Sequence, residues 1–259
     1  MMKQTRPKVK NSLDKQRTFF WLPVWTLLRR ELIRFWREKS RVLGFVAFPL
    51  VFWLAIGSGF GDLAAFFPGA LTLTVMFSAV FSMMSLIEDR REGFLLSMLV
   101  SPAPRLAMVL GKVTGASLLA WMQGVAFLLF LPVTGLRPQW ADLAGAAGVL
   151  FLIAFAFTGL GFLVAWKVDS TQGFHALVNL LLFPLWMVSG ALFPAAGAHG
   201  WMRWLMRLNP LSYSLDALRG LLDPRSSVPN LGWNVALTAA CGVALLVASA
   251  AAARRTENG

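Results

Sequence analysis

Charge is scarce in this chain: 14% of its 259 residues are Asp, Glu, Lys or Arg, where a soluble domain carries about 25%. Cysteine is nearly absent. Cys241 is the only one, so no intramolecular disulfide can form. The two histidines, His175 and His199, fall on opposite sides of the membrane in the topology derived below. No His/Cys/Glu set has metal-ligand spacing, so no metal is expected. A Gly-x-Ser-x-Gly nucleophile elbow is missing. So is a Gly-x-x-x-x-Gly-Lys-Ser/Thr phosphate loop, and with it that device for binding ATP. No catalytic site is legible, and a non-enzymatic role is expected. Charge is also missing from the middle of the long apolar runs, which disfavours transport driven by protons or sodium. Lys112 lies near enough to one end of its run to snorkel out of it.

What remains is apolar surface. The chain is 57% hydrophobic with a mean hydropathy of +0.64, and the excess falls in blocks of about twenty residues, enough to cross ~30 Å of hydrocarbon. Six transmembrane helices are expected at 42–60, 67–87, 106–133, 143–166, 174–193 and 231–253. The fold class is therefore an all-α membrane protein. Residues 1–22 read as a flexible basic tail, 42–253 as the six-span domain and 254–259 as a second tail. The N-terminus does not read as a cleavable signal.

Between tail and first span, residues 23–41 read as an amphipathic helix. Val24, Trp25, Leu28, Leu32, Phe35 and Trp36 recur at helical spacing, and Arg29, Arg30, Arg34, Arg37 and Glu38 fall largely opposite. A basic helix with aromatics on its apolar face lies in the membrane interface. Twelve of the 24 Lys and Arg fall within residues 1–41. That pattern follows the positive-inside rule and contact with anionic lipid, and argues against nucleic acid as a partner. With the N-terminus cytoplasmic, 19 cations lie inside and 5 outside, so both termini are expected in the cytoplasm.

The stretch Glu88–Pro104 is polar enough to leave the bilayer and apolar enough on one face to dock into another protein. It is expected to be where a partner pushes on this chain. The long external loop, 194–230, carries two amphipathic pieces. One holds Trp201, Trp204 and Leu205. The other begins at Asn209-Pro210 and sets Leu211, Leu215, Leu218 and Leu222 on one face, with Asp216 and Arg219 spaced to pair on the other. An interfacial or re-entrant helix pair is expected there. Thr74, Ser78, Ser82 and Ser85 form a polar stripe on the second span, which reads either as helix packing or as the lining of a substrate path. Gln123 and Asn179 are isolated polar residues within spans that could face a partner helix or a substrate. Gly111-x-x-x-Gly115 permits close helix approach.

Two segments resemble a known family. Asp89, Arg90, Glu92, Gly93, Phe94, Leu95, Met98, Leu99, Val100, Ser101 and Pro102, with Arg105 and Gly111-Lys112, are similar to the cytoplasmic signature of ABC-2 type transporter permeases. Ser189–Pro194 with Asn209-Pro210-Leu211-Ser212-Tyr213 and Asp216-Ala217-Leu218-Arg219 is similar to that family's last-loop signature. The resemblance covers about residues 24–253. It implies a permease subunit that pairs with a second permease chain, as a homo- or heterodimer, and docks a separate ABC ATP-binding subunit. ATP and Mg are then bound by that partner, and this chain holds no cofactor.

The resemblance implies ATPase coupling through Glu88, Asp89, Arg91, Glu92, Gly93, Phe94, Leu95, Met98, Leu99 and Pro102. Phe94, Leu95, Met98 and Leu99 supply an apolar contact, and Pro102 and Pro104 end the segment. Asn209, Pro210, Tyr213, Asp216 and Arg219 are expected to shape an external gate. Leu96 and Ser97 stand where the family usually carries charge, so docking here is expected to rest on packing or on Glu92. The expectation is an exporter permease in the cell (inner) membrane, moving a hydrophobic or amphipathic substrate (a drug, a lipid or a glycolipid-like molecule). The alternatives are a membrane scaffold or assembly factor that docks a cytoplasmic partner without transport, and an energy-independent channel.

Overall fold

The computed structural model describes residues 10–37, 39–94, 104–193, 197–223, 226 and 228–255. These are helical almost throughout, with no strand among the described residues. In chain order the helices are α1 (Lys10–Arg37), α2 (Lys39–Phe60), α3 (Leu63–Ser82), α4 (Met84–Arg91), α5 (Arg105–Phe127), α6 (Trp140–Lys167), α7 (Thr171–Trp186), α8 (Gly200–Leu208), α9 (Pro210–Leu222) and α10 (Leu231–Arg255). A 3₁₀ turn, Leu128–Thr134, extends α5, and a π turn, Met187–Ala191, extends α7.

The turns follow from local chemistry. Gly61 takes a left-handed φ of 71° to close α2, and the Asp62 side chain accepts from the Ala65 N–H at 2.9 Å to open α3. Gln139 and Asp142 form a reciprocal capping box on α6. The Ser170 hydroxyl accepts from the Gly173 N–H at 3.0 Å to cap α7.

Among the described residues, five helical stretches are long and apolar enough to cross a membrane: Leu63–Arg91, Arg105–Thr134, Trp140–Lys167, Thr171–Ala191 and Leu231–Ala253. Each falls within a few residues of an expected span. The apolar part described for the first expected span is shorter, Val46–Phe60. The buried share falls from 83% in Leu63–Arg91 to 17% in Leu231–Ala253, so α3 is the central helix and α10 a peripheral one. Small residues let the helices approach α3. A side chain at Gly161 of α6 would meet the Val80 backbone at 2.9 Å, and one at Gly69 of α3 would meet Ala191 at 3.1 Å. Tryptophans in the core satisfy their indole N–H groups on backbone: Trp53 donates to the Leu63 carbonyl and Trp186 to the Gly69 carbonyl, both at 2.8 Å.

Two expectations change. Helix α1 begins at Lys10, inside the stretch 1–22 read as a flexible tail, and carries Pro23 within it. Residues 10–22 contain neither Gly nor Pro and are rich in Lys, Gln, Arg and Leu, which sustain a helix. Toward the bundle α1 buries Val24, Leu27 and Glu31, whereas Trp25 is 65% exposed. Phe35 and Trp36 lie among residues whose side chains are not described. Finally, Lys112 does not snorkel. It is 1% exposed, and its partners explain why.

Candidate functional site

Helix α1 crosses α5 at the Gly111-x-x-x-Gly115 pair. A side chain at Gly111 would meet the Val24 backbone at 3.0 Å, and one at Gly115 would meet Leu28 Cα at 3.2 Å and Glu31 Cβ at 3.3 Å. That approach brings Glu31 beside Lys112. The Lys112 ammonium donates to Glu31 Oε1 at 3.0 Å and, on its other side, to Asp89 Oδ2. Asp89 sits near the end of α4 with no exposed surface. It also accepts from Arg30 Nη2 at 2.7 Å and from Arg34 Nη1 at 3.4 Å. Arg34 pairs with Glu88, and the Ser85 hydroxyl donates to Glu31 Oε2 at 3.3 Å. Three carboxylates and three cations thus form one neutral network among α1, α4 and α5. Neutrality is what makes it tolerable, since each buried ion left unpaired costs several kcal/mol (about 3–5 when one partner is removed). The hydrogen bond to Asp89 holds the Arg30 guanidinium more basic than usual, against the opposing effect of burial.

The opposite flank of α4 is tied to a different element. Arg90 donates to the Trp166 carbonyl at 2.9 Å, the Val168 carbonyl at 3.3 Å and Asp169 Oδ1 at 2.8 Å, which satisfies the C-terminal end of α6. Arg91 donates to the Asp169 carbonyl at 3.3 Å. Beyond α4 the chain turns at Gly93, whose φ of 74° favours glycine. Arg30 then stacks over the Phe94 ring, 3.9 Å from its centre. Glu92 is exposed. Leu95, Met98, Leu99 and Pro102 lie outside the described residues.

At the far end of the bundle the expected gate residues lie along α9 and at its start, and among them Asp216 and Arg219 meet. The Asn209 side chain accepts from the Leu211 N–H at 3.0 Å, with Pro210 in the first turn of α9, while its amide donates to the Leu185 carbonyl at 2.6 Å. Arg219 donates to the Gly190 carbonyl at 2.6 Å and faces Asp216 at 3.6 Å. Tyr213 donates to the Arg207 carbonyl at 2.7 Å. Burial pushes the Asp216 carboxyl up and the Arg219 guanidinium down, each opposed by the other's charge. Leu211, Leu215, Leu218 and Leu222 are all buried.

The expected substrate path does not form one lining. Thr74 and Ser82 return their hydroxyls to the carbonyls one turn back, Ala70 and Ser78, which is packing behaviour. Ser78 and Gln123 are buried with side-chain atoms that have no hydrogen-bond partner. Asn179 points outward and is exposed. Among the described residues no group of His, Cys, Asp and Glu could hold a metal.

Glu31, Lys112, Arg30 and Arg34 were not picked out as site residues. A signal for them existed: Glu31 is the one acid between Arg29, Arg30 and Arg34, and Lys112 is the one charge in its apolar run. Buried charges in both places call for each other.

A bundle of apolar helices whose charges collect at one end is a multi-pass membrane protein. A family model described as ABC-2 type transporter matches residues 23–222, and the chain belongs to that family, whose members are transporter permease subunits. It is 27% identical over 222 residues to a transport permease, ycf38, of Cyanophora paradoxa, covering 80% of this chain and 77% of that one. It is 27% identical to nodulation protein J of Rhizobium leguminosarum bv. trifolii, covering 78% and 80%. It is 26% identical to the daunorubicin resistance ABC transporter permease protein DrrB1 of Streptomyces coeruleorubidus, covering 80% and 77%.

Proposed function

We propose that this chain is the six-span permease subunit of an ATP-driven exporter. Two such chains pair and dock two separate ATP-binding subunits, which hold ATP and Mg. It lies in the cell (inner) membrane with both termini cytoplasmic, and it moves a hydrophobic or amphipathic substrate outward. Val46–Phe60, lengthened by the preceding turns of α2, is the sixth span. The sidedness rests on the bias of cations toward one set of loops. The relative named for daunorubicin resistance supports an amphipathic cargo.

The observation that carries the reading is how the docking segment is anchored. Exposed Glu92 and the ring of Phe94 are the described parts that a partner can reach. Immediately before them, Asp89 is bound to α1 and α5, and Arg90 and Arg91 to the end of α6. A push on the segment therefore moves three helices together. Asp89 acts inside the chain, and direct contact with the ATPase falls to Glu92 and the apolar residues that follow. The test is co-purification and ATP turnover with a separate ABC ATP-binding subunit. Glu92→Ala and Leu95→Asp are expected to weaken complex formation. Loss of neither, or an ATPase whose turnover ignores the permease, would sink the assignment.

A further inference from the structure

Helix α1 has a second face that the bundle leaves open. Thr26, Arg29, Arg30, Ile33 and Arg34 recur at helical spacing along it and, with Glu92, line a groove of about 450 Å³. The network already balances Arg30 and Arg34 with Asp89 and Glu88, which leaves Arg29 and Glu92 as the groove's remaining charges. Arg34 is engaged by Glu88 and Asp89. Arg29 is exposed and has no ion pair among the described residues. Arg30 gives Nη2 to Asp89, while its Nη1 is buried with no hydrogen-bond partner. A buried donor of that kind calls for an acceptor. Around the groove, Trp21, Leu22, Trp25 and Ile33 are large apolar side chains left exposed on the same helix.

We propose that this groove is a binding site for the phosphate of an anionic phospholipid headgroup. Phosphate oxygens match the forked donors of two arginines, Arg29 and Arg30, better than any neutral ligand does. The apolar neighbours decide between sources of phosphate. A free phosphate ion would use the cations and leave Leu22, Trp25 and Ile33 in water, whereas a lipid uses both. Tryptophans on a basic helix also set its depth at the headgroup boundary. The inference rests on α1 lying in the membrane interface, as proposed above. A lipid held there touches Arg30, and through it Asp89, so lipid charge bears on the network that anchors the docking segment.

The test uses the full chain alone in detergent, without the ATP-binding subunit, so that its failure is separate from failure of the transport assignment. The protein is given equal amounts of dioleoyl phosphatidylglycerol and dioleoyl phosphatidylcholine, and bound lipid is counted by native mass spectrometry. Phosphatidylglycerol is expected to be retained preferentially, and Arg29→Gln to lower that preference about fivefold, the effect of one cation beside an anionic headgroup. Ile33→Glu, which fills the groove with like charge, is expected to abolish the preference. Arg137→Gln, on a distant loop, is expected to leave it intact. If Ile33→Glu does not fold, Arg29→Gln decides alone. An unchanged preference in Arg29→Gln overturns the proposal. Displacement of the lipid by millimolar inorganic phosphate makes the groove a free-anion site and overturns the lipid assignment.

Discussion

The two ends of the bundle are held by different chemistry. Among α1, α4 and α5 the side chains bind one another: Lys112 bridges Glu31 and Asp89, and Asp89 in turn holds Arg30 and Arg34. At the far end they bind backbone: Asn209 reaches the Leu185 carbonyl, Arg219 the Gly190 carbonyl and Tyr213 the Arg207 carbonyl. A network of buried ions is cooperative, since removal of one member strands the others. Side-chain bonds to carbonyls fail one at a time. The end formed by α1, α4 and α5 is therefore held as a unit, and the far end by separate ties to the end of α7, the π turn after it and α8.

The sharpest way to break the contrast is Lys112→Met. It leaves Glu31 and Asp89 buried without their shared cation, and the loss expected is about 3–5 kcal/mol. In hydrogen-exchange measurements α1 is expected to lose protection while α9 keeps its own. Adding Glu31→Gln to Lys112→Met is expected to restore part of the loss, and a double variant as unstable as the single one would mean that no network exists.

Arg219→Met addresses the other end. It removes a charge-assisted bond to the Gly190 carbonyl, and about 1.5–3 kcal/mol is expected to go. Exchange is expected to rise around Met187–Ala191, with α1 unmoved. A response in α1 would show that the two ends are coupled and that the contrast drawn here is wrong. Gly111→Leu tests the crossing on which the network depends. Its new side chain would press on the Val24 backbone, and a cost of about 1–3 kcal/mol is expected, read as a lower melting temperature. The smallest effect belongs to Asp169→Asn. Its carboxylate is 91% exposed, and a surface pair contributes no more than about 0–1 kcal/mol. A melting temperature within a degree or two of the parent is expected, because Arg90 keeps its bonds to the Trp166 and Val168 carbonyls.

Much of this arrangement was legible along the chain. Apolar runs of the right length marked the spans, because hydrocarbon demands helices with satisfied backbone. Asn209-Pro210 and the leucines that follow marked α9, because a cap and a repeating apolar face are local properties. Gly111 and Gly115 marked a close crossing without saying what crosses there. The charged residues near Glu88 read as a surface for a partner, and that reading missed Asp89, which faces inward. Burial of a charge is decided by what the rest of the chain brings to it.

The sequence by itself determined the material and its layout: an all-helical chain with apolar runs of spanning length, its cations gathered toward one set of loops, and no Gly-x-x-x-x-Gly-Lys-Ser/Thr phosphate loop. Those are properties of composition and period. Only the tertiary structure decided which charges meet. Glu31 and Lys112 are 81 positions apart, and neither could be buried without the other. They find each other because two glycines in α5 let α1 come within contact of its backbone. That approach makes a basic helix one wall of the network that holds Asp89.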